Sequence, residues 1–128
     1  WESAYRPFPT EEDTMGRNHG DLLQGTLGLL ILKALTGSER HGYGIARWIE
    51  EVTGAVLQIE EGSLYPALRR LEDRGLVEAR WGLSENNRRA RFYAITPAGR
   101  THLQADASLW RRFAGAVFLV LEAEPALG

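Results

Sequence analysis

The chain has 128 residues, 44% of them apolar and 25% charged, which is the size and balance of one globular domain around one small core. It has no cysteine, which excludes disulfides, thiolate metal sites and a thiol nucleophile and accords with a reducing compartment, the cytoplasm. A net charge of −2 offers a polyanion no whole-chain attraction. The longest apolar runs, Leu27 to Leu32 and Val117 to Leu121, fall far short of the roughly 20 residues that span a bilayer, so no membrane partner is expected.

Residues 1–20 read as an N-terminal arm with Pro7 and Pro9, and Met15-Gly16 could be a natural start preceded by foreign sequence. Its Trp1, Tyr5 and Phe8 suggest that it packs on the body. From Asp21, a candidate N-cap, the residues Leu23, Leu27, Leu30 and Ala34, with Ile31 and Leu35 beside them, recur at helical spacing up to Gly37. Ile45, Ile49 and Val52 mark a second amphipathic helix ending at Gly54. A third runs from about Ser63 to Arg74, with Leu64, Leu68 and Leu71 on one face and Gly75 as its stop. Leu76 to Trp81 and Arg91 to Thr96 alternate as strands do, joined by a polar stretch from Gly82 to Ala90, which makes a hairpin. Thr96-Pro97 then opens a long helix to about Glu124. Helix, helix, helix, hairpin, helix is the order of a mainly α, winged helix-turn-helix domain over residues 21–96, with a C-terminal dimerisation helix over residues 97–124.

Charge is unevenly placed. From Ser63 to Arg100 eight arginines stand against four acids, a local +4, whereas the remainder holds seven basic and thirteen acidic residues. On the third helix Tyr65, Pro66, Arg69 and Arg70 lie opposite the leucine face. Arginine forks there fit guanine edges or phosphates in a major groove, with Ser63 and Tyr65 nearest the DNA. A bland alternative is a solvated surface helix, partly neutralised by Glu72 and Asp73. The hairpin that follows argues against it, because Arg88, Arg89 and Arg91 cluster beside Asn86-Asn87, where a wing could lie on a phosphate backbone or enter a minor groove.

Other chemistry finds little support. His19, His41 and His102 show no metal-ligand spacing, and His41 reads as a turn residue ahead of the second helix. Glu50-Glu51 and Glu60-Glu61 read as solvated helix ends, and no nucleophile, phosphate-loop or dinucleotide motif is present, so neither an enzyme nor a cofactor is expected. Tyr43, Trp48 and Trp81 each admit a DNA-contact reading, but they adjoin apolar positions and are expected in the core, Tyr43 least firmly. The competing class is a winged-helix adaptor that binds protein rather than DNA; such a module would have little use for a +4 face, and its binding would not weaken steeply with salt.

In the last helix Leu103, Ala107, Trp110, Ala114, Val117 and Leu121 follow a 4-3-4-3-4 spacing, widened by Leu109, Phe113, Ala116 and Val120. A stripe this wide needs more than the first helix to cover it. It is expected to pack on the same helix, and on the first helix, of a second subunit. At about 1.5 Å per residue the span is about 40 Å, enough to set two reading helices at half-sites about 34 Å apart.

Several segments together resemble the PadR family of regulators. They are Leu23-Gln24-Gly25-Thr26-Leu27, His41-Gly42-Tyr43-Gly44-Ile45, Gly62-Ser63-Leu64-Tyr65-Pro66-Ala67-Leu68 with Arg70-Leu71-Glu72, Gly75-Leu76-Val77, Trp81-Gly82, and Arg91-Phe92-Tyr93 leading to Thr96-Pro97-Ala98-Gly99. The likeness runs over roughly residues 21 to 110. It departs in the wing, where Asn86-Asn87 and Ala90 replace a glycine-containing, longer basic run. The resemblance implies a homodimeric repressor on an inverted-repeat operator, with Ser63, Tyr65, Arg69 and Arg70 facing DNA and the wing arginines on its backbone. With one helix beyond the wing, the chain resembles the short subgroup, some of whose members hold planar aromatic effectors between paired tryptophans at the dimer centre. Trp110 falls at that position; it reads either as an effector-binding ring or as a dimer-core residue.

Overall fold

The computed structural model describes residues 25–126. The expected arm, and Asp21 and Leu23 of the first helix, lie outside these residues. Helix α1 is helical over residues 25–34. It is followed by β1 (Arg40–His41), α2 (Gly42–Val52), α3 (Glu61–Asp73), β2 (Val77–Leu83), β3 (Arg89–Ile95) and α4 (Pro97–Glu122). The expected order holds, with the two-residue β1 added: it pairs antiparallel with β3, Arg40 opposite Tyr93 and His41 opposite Phe92, so the sheet order is β1-β3-β2.

The core forms where the helical stripes meet. Leu27, Ile31, Leu32 and Leu35 from α1 and its C-terminal turn, Ile45 and Ile49 from α2, and Leu64, Leu68 and Leu71 from α3 are all buried. Val77 and Tyr93 close it from the base of the hairpin, and Leu103 from the first half of α4. Fully burying one such aliphatic side chain contributes about 1.5–3 kcal/mol, so these stripes fix how α3 is held.

Helix ends follow local chemistry. His41 caps α2: its Nδ1 accepts from the Gly44 N–H at 3.0 Å, and its ring meets Phe92 edge-on at 5.3 Å. α3 begins two residues before Ser63. Its N-cap is Glu60, whose carbonyl accepts from the N–H groups of Ser63 and Leu64, and Glu61 puts negative charge in the first turn, where the helix dipole favours it. Glu50 is not a merely solvated end either, since its Oε2 accepts from the Ile59 N–H at 3.2 Å and ties down the α2–α3 connection. Gly75, just past the α3 C-cap Arg74, has φ +75°, the left-handed conformation that ends many helices and suits glycine.

The hairpin is longer than its expected strands. Pairing continues to Gly82 opposite Ala90 and Leu83 opposite Arg89, so the connection shrinks to residues 84–88. There Ser84 N–H donates to the Arg88 carbonyl at 2.8 Å, Asn87 N–H donates to the Ser84 carbonyl at 2.9 Å, and Asn87 takes φ 59°. Asparagine tolerates that conformation better than most residues, which lets the wing turn tightly without glycine.

Thr96 joins hairpin to α4. Its Oγ1 accepts from the Gly99 N–H at 3.0 Å and donates to the Gly75 carbonyl at 2.7 Å, while its N–H donates to the Leu76 carbonyl at 3.1 Å. α4 ends at Glu122, two residues short of expectation. Beyond residue 107 it leaves the domain: apart from half-buried Ala114, every described residue from there on is exposed. No helix among the described residues is long and apolar enough to cross a membrane.

Candidate nucleic-acid interface

The burial of Leu64, Leu68 and Leu71 turns the opposite side of α3 outward, so Tyr65, Pro66, Arg69 and Arg70 are exposed and Ser63 is half-buried. Among the described residues Arg69 and Arg70 form no ion pair, which leaves both forks available to a ligand. Tyr65 is held differently. Its ring lies back across the start of α2, where a Cβ at Gly42 would come within 2.5 Å of the phenol oxygen. Only glycine there lets α2 and the ring approach so closely. Burial, with the nearby charge of Glu61 adding to it, pushes the Tyr65 phenol above its ordinary value.

The wing arginines divide by role. Arg88 sits exposed in the turn, and Arg89 begins β3 one residue later. Arg91 lies further down the strand rather than at the tip, and its Nη2 donates to Glu72 Oε2 of α3 at 2.8 Å. That ion pair braces the wing against α3. Arg80, also counted in the +4 stretch, pairs with Glu39 before β1, and this hydrogen bond holds the Glu39 carboxyl below its ordinary value. Local charge at the surface is therefore less than the count of arginines suggests; among the seven expected contacts, Arg69, Arg70, Arg88 and Arg89 are the uncommitted cations.

Two aromatic residues expected in the core are on the surface. Tyr43 is 64% exposed and Trp81 55%, whereas Trp48 is partly buried against the core as expected. For Trp81 the cause is geometric. Val77, Ala79, Trp81 and Leu83 do share one face of β2, but that face starts in the core and runs out along the wing beyond it, where Trp81 stands opposite Arg91. Arg89 lies 4.5 Å and Arg91 5.9 Å from the Trp81 ring centroid. Tyr43 lies in the first turn of α2 under Arg47, which donates to its hydroxyl at 3.0 Å.

These residues border an open groove of about 830 Å³ between the start of α2, Tyr65 of α3 and the wing. It brings together Tyr65, Arg89 and Arg91 of the expected site and adds Tyr43 and Trp81, for which the sequence favoured core packing over a DNA contact, and Arg47, which the sequence reading missed. The i, i+4 spacing of Tyr43 and Arg47 was the available signal. Ser63, Arg69, Arg70 and Arg88 lie outside the groove. Trp110 is remote from it, on the projecting half of α4, 38% exposed and stacked on Phe113 at 5.7 Å between centroids.

A family model described as the transcriptional regulator PadR-like family matches residues 31–105. Among solved structures, a PadR family transcriptional regulator from Eggerthella lenta is similar at 26% identity and a TM-score of 0.74, over 88% of this chain and 96% of that one. A transcriptional regulator from Clostridium thermocellum is similar at 29% identity and a TM-score of 0.69, over 76% and 94% of the two chains. The uncharacterized protein X of Lysinibacillus sphaericus is 29% identical over 102 residues, 80% of this chain and 94% of that protein. Three helices, a braced wing and a matching family model over more than half of its length lead to one conclusion: the chain belongs to the PadR-like family of transcriptional regulators.

Proposed function

We propose that the protein is a homodimeric repressor in the cytoplasm that binds an inverted-repeat DNA operator through α3 and the wing. The observation that carries this reading is the outward face of α3, where Arg69 and Arg70 form no ion pair among the described residues while Arg80 and Arg91 are committed to carboxylates. Arginine forks on an exposed helix suit guanine O6 and N7 or phosphate oxygens, and the wing beside it carries Arg88 and Arg89 toward the backbone. Ser63 and Tyr65, in the first turns of α3, stand where a reading helix meets base edges.

The test is binding to duplex DNA from the gene's own upstream region, at two salt concentrations. Arg69→Ala and Arg70→Ala should each weaken operator binding by about 10-fold or more, since one good fork contact contributes about 1–3 kcal/mol. Wild-type affinity should fall steeply with salt as counterions leave the phosphates. Unchanged affinity in both variants removes the reading role of α3, and salt-independent binding to a protein partner favours the adaptor alternative.

Trp110 and Phe113 present a stacked aromatic surface on α4, which supports a planar aromatic effector held at the dimer centre and releasing the operator. Titration of the dimer with planar aromatic compounds should quench tryptophan fluorescence saturably and lower operator affinity. Trp110→Ala should lose both responses. Equal ligand binding by that variant leaves Trp110 as a dimer-core residue only.

A further inference from the structure

Among the described residues a single ion pair joins the wing to α3. Val77 and Tyr93 anchor the base of the hairpin by burial, and past them its strands run out into solvent, where Trp81 and Leu83 are exposed. Arg91 stands two residues beyond Tyr93 on the same face of β3. There its Nη2 donates to Glu72 Oε2 at 2.8 Å and its guanidinium lies 5.9 Å from the Trp81 ring centroid, with Arg89 on the same ring at 4.5 Å. A chain of contacts therefore runs from α3 through Arg91 and Trp81 to Arg89. Glu72 lies three residues past Arg69, and positions so spaced are neighbours on a helix surface. Its carboxylate nevertheless pairs with Arg91, nineteen residues away, and leaves the Arg69 fork unpaired.

We propose that Glu72 and Arg91 are positioning residues for sequence discrimination, a role that rests on the reading of α3 given above. Neither touches DNA. Their ion pair fixes the angle between α3 and the wing and keeps Glu72 off the Arg69 fork. An operator is bound in one geometry, with α3 on base edges and the wing arginines on the backbone, so a wing already held at that angle has less order to lose on binding. An unrelated duplex offers no base contacts that depend on one register, and a swinging wing still finds phosphates on it. The brace therefore contributes to preference for the operator rather than to affinity for DNA in general. Exposed pairs of this kind add little to folding stability, which lets the two effects be separated in solution.

The test compares the full chain on a duplex from the gene's own upstream region and on an unrelated duplex, across a salt series. Removing an acid beside DNA ordinarily strengthens binding to any sequence, because one repulsive charge is gone. Glu72→Gln should do the opposite on the upstream duplex, which it should bind about 5- to 10-fold more weakly, while the unrelated duplex is held as tightly as before or more so. Arg91→Gln should lose at least as much on the upstream duplex, since Glu72 is then free to turn onto Arg69, with little change on the unrelated one and the salt slope of the wild type. The double variant should be no weaker than Arg91→Gln, and all three should melt within about 2 °C of wild type. Upstream binding that is unchanged or tighter in Glu72→Gln would overturn the proposal, as would losses matched by a larger fall in Tm. So would equal losses on both duplexes in Arg91→Gln with a salt slope smaller by about 1, the mark of a direct phosphate contact. If Arg69→Ala and Arg70→Ala abolish preference for the upstream duplex while Glu72→Gln keeps it, this inference fails and the α3 reading survives. A wild-type chain that holds both duplexes equally removes both.

Discussion

Val117→Glu should convert the proposed homodimer to a monomer in sedimentation equilibrium and lower affinity for the proposed operator by about 100-fold or more. Of the fourteen large hydrophobic residues that are exposed among the described residues, eight lie on α4 between Leu109 and Leu121, a contiguous apolar surface of the kind that marks an interface. A carboxylate buried in such an interface without a partner costs about 3–5 kcal/mol. A two-fold dimer carries the substitution twice, so the penalty is roughly 6 kcal/mol or more, about 10⁴-fold in the dimer dissociation constant. Operator binding falls with it, because two linked reading helices engage DNA at a high effective concentration that separate ones lack. Val117 lies outside the core cluster, so the helical signal in far-ultraviolet circular dichroism should persist below the transition. A variant that remains dimeric and binds normally would place the interface elsewhere.

Gly99→Ala should destabilise the fold more than any other single methyl added at a described glycine. A Cβ at Gly99 would lie 2.1 Å from the Leu76 carbonyl oxygen and 2.8 Å from Ile95 Cγ1. At Gly42 and Gly82 the nearest atoms belong to the ends of flexible side chains, which can move; at Gly99 the obstacle is backbone that also accepts the Thr96 N–H. Relief therefore requires α4 to lift off the base of the wing, breaking the Thr96 cap and shifting Leu103 out of the core. Overpacking of this kind costs about 3 kcal/mol or more, a fall of about 10 °C in Tm for a domain of this size. Because the strain sits at the junction between wing and α4, affinity for the proposed operator at low temperature should fall as well, through an altered spacing of the two reading helices in the proposed dimer. Gly115→Ala is the matched control, since a Cβ there meets nothing in the chain, and its Tm should hold or rise slightly. A Tm for Gly99→Ala within about 2 °C of wild type would show that the α4 junction yields without cost.

The helices were legible because each carries its signal within a few turns. Leu64, Leu68 and Leu71 could only be buried together, and that alone turned Arg69 and Arg70 to the surface. The Thr96-Pro97 start of α4 was equally local, being a side-chain oxygen and a fixed φ in adjacent residues. Boundaries were less legible where long-range pairing competes with composition. The polar stretch from Gly82 to Ala90 reads as loop, yet cross-strand hydrogen bonds recruit its two ends into the ladder. β1 left no trace, since two residues have no periodicity and their pairing with β3 is set by where α1 ends.

Sequence by itself determined the element order, the outward face of α3, the capped start of α4 and an apolar stripe too wide for one chain to cover, because periodicity and capping act between residues a few positions apart. Only tertiary structure decided which arginines remain uncommitted, that Arg91 braces the wing on Glu72 nineteen residues earlier, and that Trp81 and Tyr43 leave the core for a shared groove. Charge pairing and aromatic exposure depend on which residues distant in the chain come within a few ångströms, and a one-dimensional pattern carries no record of that distance.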